Sequence, residues 1–160
     1  MMDFMREALD LAEEALKANE VPVGCIFVRN GIKIAQSRNR VNETRNPTRH
    51  AEINCIDEIL NNCQDDILDI FKEIIVYVTV EPCIMCAGAL KQLNIKEVVY
   101  GCENDRFGGS TVIDVSDIYS NGYKLTGSIL ADEAMNLLKQ FYKGTNPHAP
   151  EAKVKKKTLT

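Results

Sequence analysis

The chain has 160 residues, of which 45% are hydrophobic and 26% charged; this excludes a disordered or fibrous protein and suits one domain that buries a core without disulfide help. The longest unbroken aliphatic and aromatic run, residues 74–78, is too short to cross a bilayer, and Asp3, Glu7 and Asp10 argue against a secretory signal at the N-terminus. The net charge of −4 is divided: residues 144–160 carry Lys153, Lys155, Lys156 and Lys157 against Glu151, a +3 segment that leaves −7 on the first 143 residues.

Residues 3–18 place Phe4, Ala8, Leu11, Ala12, Ala15 and Leu16 along one stripe, with Asp3 as N-cap, and predict an amphipathic helix. Two β-like runs, 21–29 and 32–38, flank Asn30-Gly31, a strong hairpin signal. A polar loop covers 39–48. Residues 49–62 are helical in pattern, with Ala51, Cys55, Ile56, Ile59 and Leu60 on one side. The run 74–80 is apolar throughout and predicts a strand buried on both faces. Pro82 opens a helix that continues to 92. A strand over 97–102 follows, then a loop-rich stretch to 122 with room for a short helix, a fifth strand over 123–129 and a closing helix over 131–142. Gly144 and Pro147 suit the residues just past a helix end. Strands alternating with helices predict an α/β sandwich on a mixed sheet. The domain is expected to span 1–143. Residues 144–160 are expected to form a flexible basic tail, either solvated or an arm for nucleic-acid phosphate.

Six cysteines stand at 25, 55, 63, 83, 86 and 102, and without an export signal they suggest reduced thiols or metal ligands. Cys83 and Cys86 form a C-x-x-C at a helix start, where the helix N-terminus favours thiolates. That pair alone fits zinc or a redox couple equally. His50, 33 residues upstream, shifts the balance, because one His and two Cys are the three-ligand set with which catalytic zinc keeps a position open. A closed site needs a fourth ligand. Cys55, at i+5 from His50, points roughly 140° away around the helix, so Cys25, Cys55 and Cys63 read as core residues. Cys102, at a strand end, stays as the rival fourth ligand. Glu52 sits two residues after His50, where a carboxylate could move protons for a zinc-activated water.

His50-Ala51-Glu52 followed by Pro82-Cys83-Ile84-Met85-Cys86 is the signature of the zinc-dependent nucleobase deaminases. The stretches Glu20–Cys25, Asn46–Glu52 and Tyr77–Cys86, together with Val99–Cys102 and Asn104–Gly109, resemble the tRNA adenosine deaminases. Asn104–Gly109, Asn146–Pro150 and the lysine tail resemble the catalytic chain of the eukaryotic heterodimeric enzymes more than the bacterial homodimers. The resemblance implies a cytidine-deaminase-like three-layer α/β/α sandwich with a central five-stranded mixed sheet. It implies that His50, Cys83 and Cys86 hold Zn2+, that Glu52 is catalytic, and that Asn39, Ala51 (through its backbone N–H) and Val23 line the pocket for the target nucleotide. It also implies tRNA as substrate, a non-catalytic deaminase-fold partner with a homodimer as the alternative, no membrane association, and a place in the cytoplasm, the nucleus or both. Lys153, Lys155, Lys156 and Lys157 would contact RNA. The expected reaction is hydrolytic deamination of adenosine to inosine at the wobble position of tRNA anticodons. Its rivals are a deaminase of free bases or nucleotides (guanine, cytosine or deoxycytidylate), a non-catalytic zinc-stabilised RNA-binding subunit, and a C-x-x-C redox protein.

Overall fold

A computed structural model describes residues 1–62, 67–115, 118 and 122–143. The expected tail at 144–160, with Lys153, Lys155, Lys156 and Lys157, lies outside the described residues, as does Cys63. Helix α1 (Met2–Lys17) opens the chain, and the hairpin β1 (Gly24–Arg29) and β2 (Ile32–Arg38) follows. Asn30 and Gly31 both take positive φ, 52° and 77°, as a tight hairpin turn requires. A short helix α2 (Val41–Thr44) interrupts the predicted polar loop, and α3 (Ala51–Asn62) and α4 (Ile67–Phe71) precede β3 (Ile74–Val80). Then come α5 (Ile84–Gln92), β4 (Glu97–Cys102), β5 (Lys124–Thr126) and α6 (Ala131–Lys143).

The five strands lie in the order β2-β1-β3-β4-β5. β1 is antiparallel to β2 and β3, whereas β3–β4 and β4–β5 are parallel. The sheet is therefore mixed, as predicted. β3 is central and almost wholly buried, which explains why its sequence is continuously apolar rather than alternating. Period-2 geometry divides the strand side chains between two layers. Cys25, Phe27, Val76, Val78 and Val98 pack with α3 and with Leu90 of α5. Ile26, Val28, Tyr77 and Val99 pack on Met5 and Ala8 of α1, and α6 covers Val80 and Cys102 through Ala134.

Two strand ends differ by three residues from the sequence reading, each for a local reason, and one helix is added. The first strand starts at Gly24 rather than 21, because Pro22 has no N–H for the ladder and Val23 N–H bonds back to Val21 O. The fifth strand ends at Thr126 rather than 129, because Ser128 and Leu130 take positive φ, which no strand continues. Helix α4 was not anticipated; it buries Ile70 and Phe71 on the α3 side of the sheet. Both α1 and α5 run out into an asparagine at positive φ, Asn19 and Asn94, which ends a helix without glycine.

Candidate metal centre and active site

Two helix N-termini converge at one end of the sheet. β3 delivers the chain through Glu81 and Pro82 to Cys83, the N-cap of α5, and Cys86 sits in the first turn of that helix. From the other side, His50 immediately precedes α3 and Glu52 lies in its first turn. The start of α3 is anchored to the hairpin, since the Asn54 side chain donates to the Arg38 and Arg49 carbonyls at 3.1 and 3.4 Å.

Each sulfur of Cys83 and Cys86 lies 3.5 Å from His50 Nδ1, and the three candidate donor atoms fall within 4.8 Å of one another. Among the described residues no fourth His, Cys, Asp or Glu joins this cluster. Cys55 is fully buried and its thiol faces the Cys25 carbonyl at 3.6 Å, a core role for both. Cys102 is buried against α6, away from the donor set, and its thiol is pushed up to about 11 by burial. The rival fourth ligand is thus withdrawn.

The electrostatics suit a cation. The Cys86 thiol, donating to Cys83, holds Cys83 down to about 4, and His50 contributes in the same direction. The same contact and burial push Cys86 up. The neighbouring Cys83 raises His50. Burial pushes the Glu52 carboxyl up to about 7, and the Cys83 charge adds to it. Glu52 is 3% exposed, and its Oε2 is, among the described residues, a buried side-chain oxygen with no hydrogen-bond partner. An orphaned carboxylate oxygen is costly unless a ligand or substrate completes it. A soft and borderline N/S2 donor set with an open side fits zinc in its catalytic rather than its structural form.

The cluster opens onto a cavity of about 610 Å³, within the range of small-molecule sites. Val23, Asn39, His50, Glu52 and Cys83 line it. Ala51 lies between His50 and Glu52 with its side chain in the core, not on the cavity wall. Its backbone N–H belongs to the first turn of α3, which has no acceptor within the helix. Sequence reading missed three parts of this site. Leu138, Phe141 and Tyr142 of α6 also line the cavity. Glu81 is a buried acid whose carboxylate accepts four hydrogen bonds from Asn104, Ser110 and Thr111, which fixes the loop bearing Arg106 and Phe107 at the cavity. Glu20, also buried, bonds Asn39. The signal available was an acid at the edge of an apolar run, but no periodicity distinguishes a buried acid from a solvated one.

The profile of the cytidine and deoxycytidylate deaminase zinc-binding region matches residues 1–102. The chain belongs to this zinc-binding deaminase family. Zinc is accordingly the metal of the His50, Cys83 and Cys86 site in this deaminase. The chain is 48% identical to tRNA-specific adenosine deaminase 2 of Xenopus laevis, over 98% of this deaminase and 94% of that protein. It is 41% identical to the tRNA-specific adenosine deaminase subunit tad2 of Schizosaccharomyces pombe, over 98% of this deaminase but 40% of that chain. The tRNA-specific adenosine deaminase of Streptococcus pyogenes serotype M18 is 32% identical, with 88% of each chain covered. A solved structure from work on A-to-I editing by tRNA:A34 deaminases at the wobble position superposes with TM-score 0.79 at 28% identity, covering 86% of this deaminase and all of that chain. A guanine deaminase from Nitrosomonas europaea superposes with TM-score 0.73 at 21% identity, covering 89% and 85%, and supports the cytidine-deaminase-like fold alone. Among the described residues no helix is long and apolar enough to cross a membrane.

Proposed function

We propose that this deaminase converts adenosine to inosine at the wobble position of tRNA anticodons. One observation carries the reading: an open His50/Cys83/Cys86 donor set beside the unpartnered Glu52 oxygen, at a cavity, in a chain 48% identical over 98% of its length to a tRNA-specific adenosine deaminase.

The reaction is adenosine plus water giving inosine plus ammonia. His50, Cys83 and Cys86 would hold zinc, which would supply the Lewis acidity that makes a water nucleophilic near neutral pH. Glu52 takes the proton of the attacking water and places it on N1 of the adenine, which makes C6 electrophilic. Glu52 then moves the remaining proton of the hydroxyl added at C6 to the exocyclic nitrogen, so that the C6–N bond breaks, ammonia leaves and C6 becomes a carbonyl. Glu52 is buried at the cavity with one oxygen unpartnered, and so is placed to move protons in both directions. Asn39 and Val23 hold the target nucleotide at the cavity wall, with the backbone N–H of Ala51 beside them. Anticodon-loop bases can be splayed out without melting a duplex, so a recessed cavity can receive one.

The first 143 residues carry −7, an awkward surface for RNA, so the lysines of 144–160 and a second chain supply positive charge. That second chain is a deaminase-fold subunit without a catalytic glutamate; the naming of the Schizosaccharomyces pombe relative as a subunit supports a multi-subunit enzyme.

The test is incubation of the zinc-loaded protein, alone and with its candidate partner, with bulk tRNA and with free nucleosides and bases. Inosine at the wobble position of tRNA is the expected product. Turnover of free guanine or cytidine with untouched tRNA would overturn the reading.

A further inference from the structure

Glu20 is fully buried, yet the catalytic chemistry gives it no task. It follows Asn19, whose positive φ turns the chain out of α1. Its carboxylate accepts three hydrogen bonds. Oε2 receives the Asn39 carboxamide Nδ2 at 3.1 Å and the Asn42 N–H at 3.1 Å, and Oε1 receives the Glu43 N–H at 2.7 Å. Asn42 and Glu43 are in the first turn of α2, whose own N-cap, Arg40, makes no side-chain cap bond. Glu20 therefore caps α2 from more than twenty residues away in the chain.

The consequence falls on Asn39. Its backbone N–H bonds Val23 O at 2.9 Å and its carbonyl accepts from Arg38 Nη1 at 3.1 Å. With the backbone tied, the remaining freedom is rotation of the carboxamide. An ionised carboxylate accepts and never donates, so only the amide nitrogen can face Glu20. The Asn39 oxygen must then be turned away from it. Asn39, 4% exposed, lines the cavity beside His50 and Glu52.

We propose that Glu20 is a positioning residue, which locks the Asn39 carboxamide in one orientation on the cavity wall and so presents a defined acceptor to the target nucleotide. The proposal rests on the reading of Asn39 as a substrate contact. Glutamine at position 20 keeps the shape but brings an NH2 group against N–H donors, so the lock fails while the packing survives.

The test compares Glu20→Gln, Asn39→Ala and the double variant in the zinc-loaded enzyme, assayed on tRNA with its partner. Glu20→Gln is expected to lower kcat/KM by on the order of 10²-fold, as a small misplacement of a positioning group does, with bound zinc unchanged. The double variant is expected to be no worse than Asn39→Ala alone, since both changes remove one function. Independently of activity, the wild-type Asn39 side-chain amide should give a proton NMR signal protected from exchange, and Glu20→Gln should abolish that protection. Losses that multiply in the double variant, or an Asn39 amide equally protected in Glu20→Gln, overturn the proposal. If Asn39→Ala is impaired while Glu20→Gln turns over normally, the proposal alone fails. If the wild type forms no inosine in tRNA, the reaction itself is wrong and the proposal falls with it.

Discussion

The Glu81 carboxylate receives both the backbone N–H of Thr111, at 2.8 Å, and its hydroxyl, at 2.7 Å, thirty residues apart in the chain. With Asn104 N–H at 3.0 Å and Ser110 N–H at 3.0 Å it closes the 104–111 loop around one buried charge. Gly108 fits this clasp because a Cβ there would meet Glu81 Oε2 at 2.6 Å. Glu81→Gln should cost about 2–3 kcal/mol, since hydrogen bonds to a charged acceptor are lost and donors are left unpaired. Hydrogen exchange is expected to rise across 104–111 and stay unchanged in α1. Unaltered protection of the loop would refute the clasp.

Glu52→Ala is expected to retain bound zinc and to lose turnover by at least the roughly 10²–10⁴-fold of one general acid–base group, because the same carboxyl moves more than one proton. Because Glu52 Oε2 is buried without a partner, Glu52→Gln in the zinc-free protein should raise Tm or leave it unchanged. Substantial inosine formation by Glu52→Ala would remove Glu52 from the chemistry.

Removing the metal should destabilise the domain. Zinc bound to the folded state at about 100 times its Kd contributes about 2.7 kcal/mol by linkage, and a chelator should withdraw that as a fall in Tm. Cys83→Ser and Cys86→Ser should lower zinc content measured by elemental analysis. Cys55→Ala and Cys102→Ala should leave it intact, because neither belongs to the donor cluster. Zinc loss in Cys102→Ala would restore a four-ligand site.

Gly24 lies under α1 so closely that a Cβ would stand 2.0 Å from the Ala8 carbonyl oxygen and 2.8 Å from the Ala12 nitrogen. Those are backbone atoms of a packed helix and cannot give way cheaply. Gly24→Ala should therefore cost about 1–3 kcal/mol or more by overpacking, read as a lower denaturant midpoint. A variant as stable as the parent would mean that α1 is free to lift from β1.

Deleting residues 151–160 removes Lys153, Lys155, Lys156 and Lys157. Each lysine that meets a phosphate contributes about 0.7–0.9 to the slope of log K against log salt. Truncation should weaken tRNA binding and flatten that slope, with zinc content unchanged. An identical slope would show that the lysines do not touch the RNA.

Local pattern determined much of this protein. Helix α1 and the hairpin were legible because a 3.6-residue stripe and an Asn-Gly turn depend on neighbours only a few residues away. His50, Cys83 and Cys86 were legible because a C-x-x-C spacing, placed at a helix start, brings two sulfurs to one point. Tertiary structure decided the rest. Cys102 was a credible ligand until β4 turned it toward α6. Glu20 and Asn39 are 19 residues apart and meet only when α1 and the hairpin are packed. The cavity wall of α6 comes from the far end of the chain. Helix α2 has no local cap, because its cap arrives from Glu20. For the thiol and the acid the physical reason is that where such a group ends up depends on partners that bury and compensate it, and these, like the α6 wall, are brought together by packing rather than by sequence spacing.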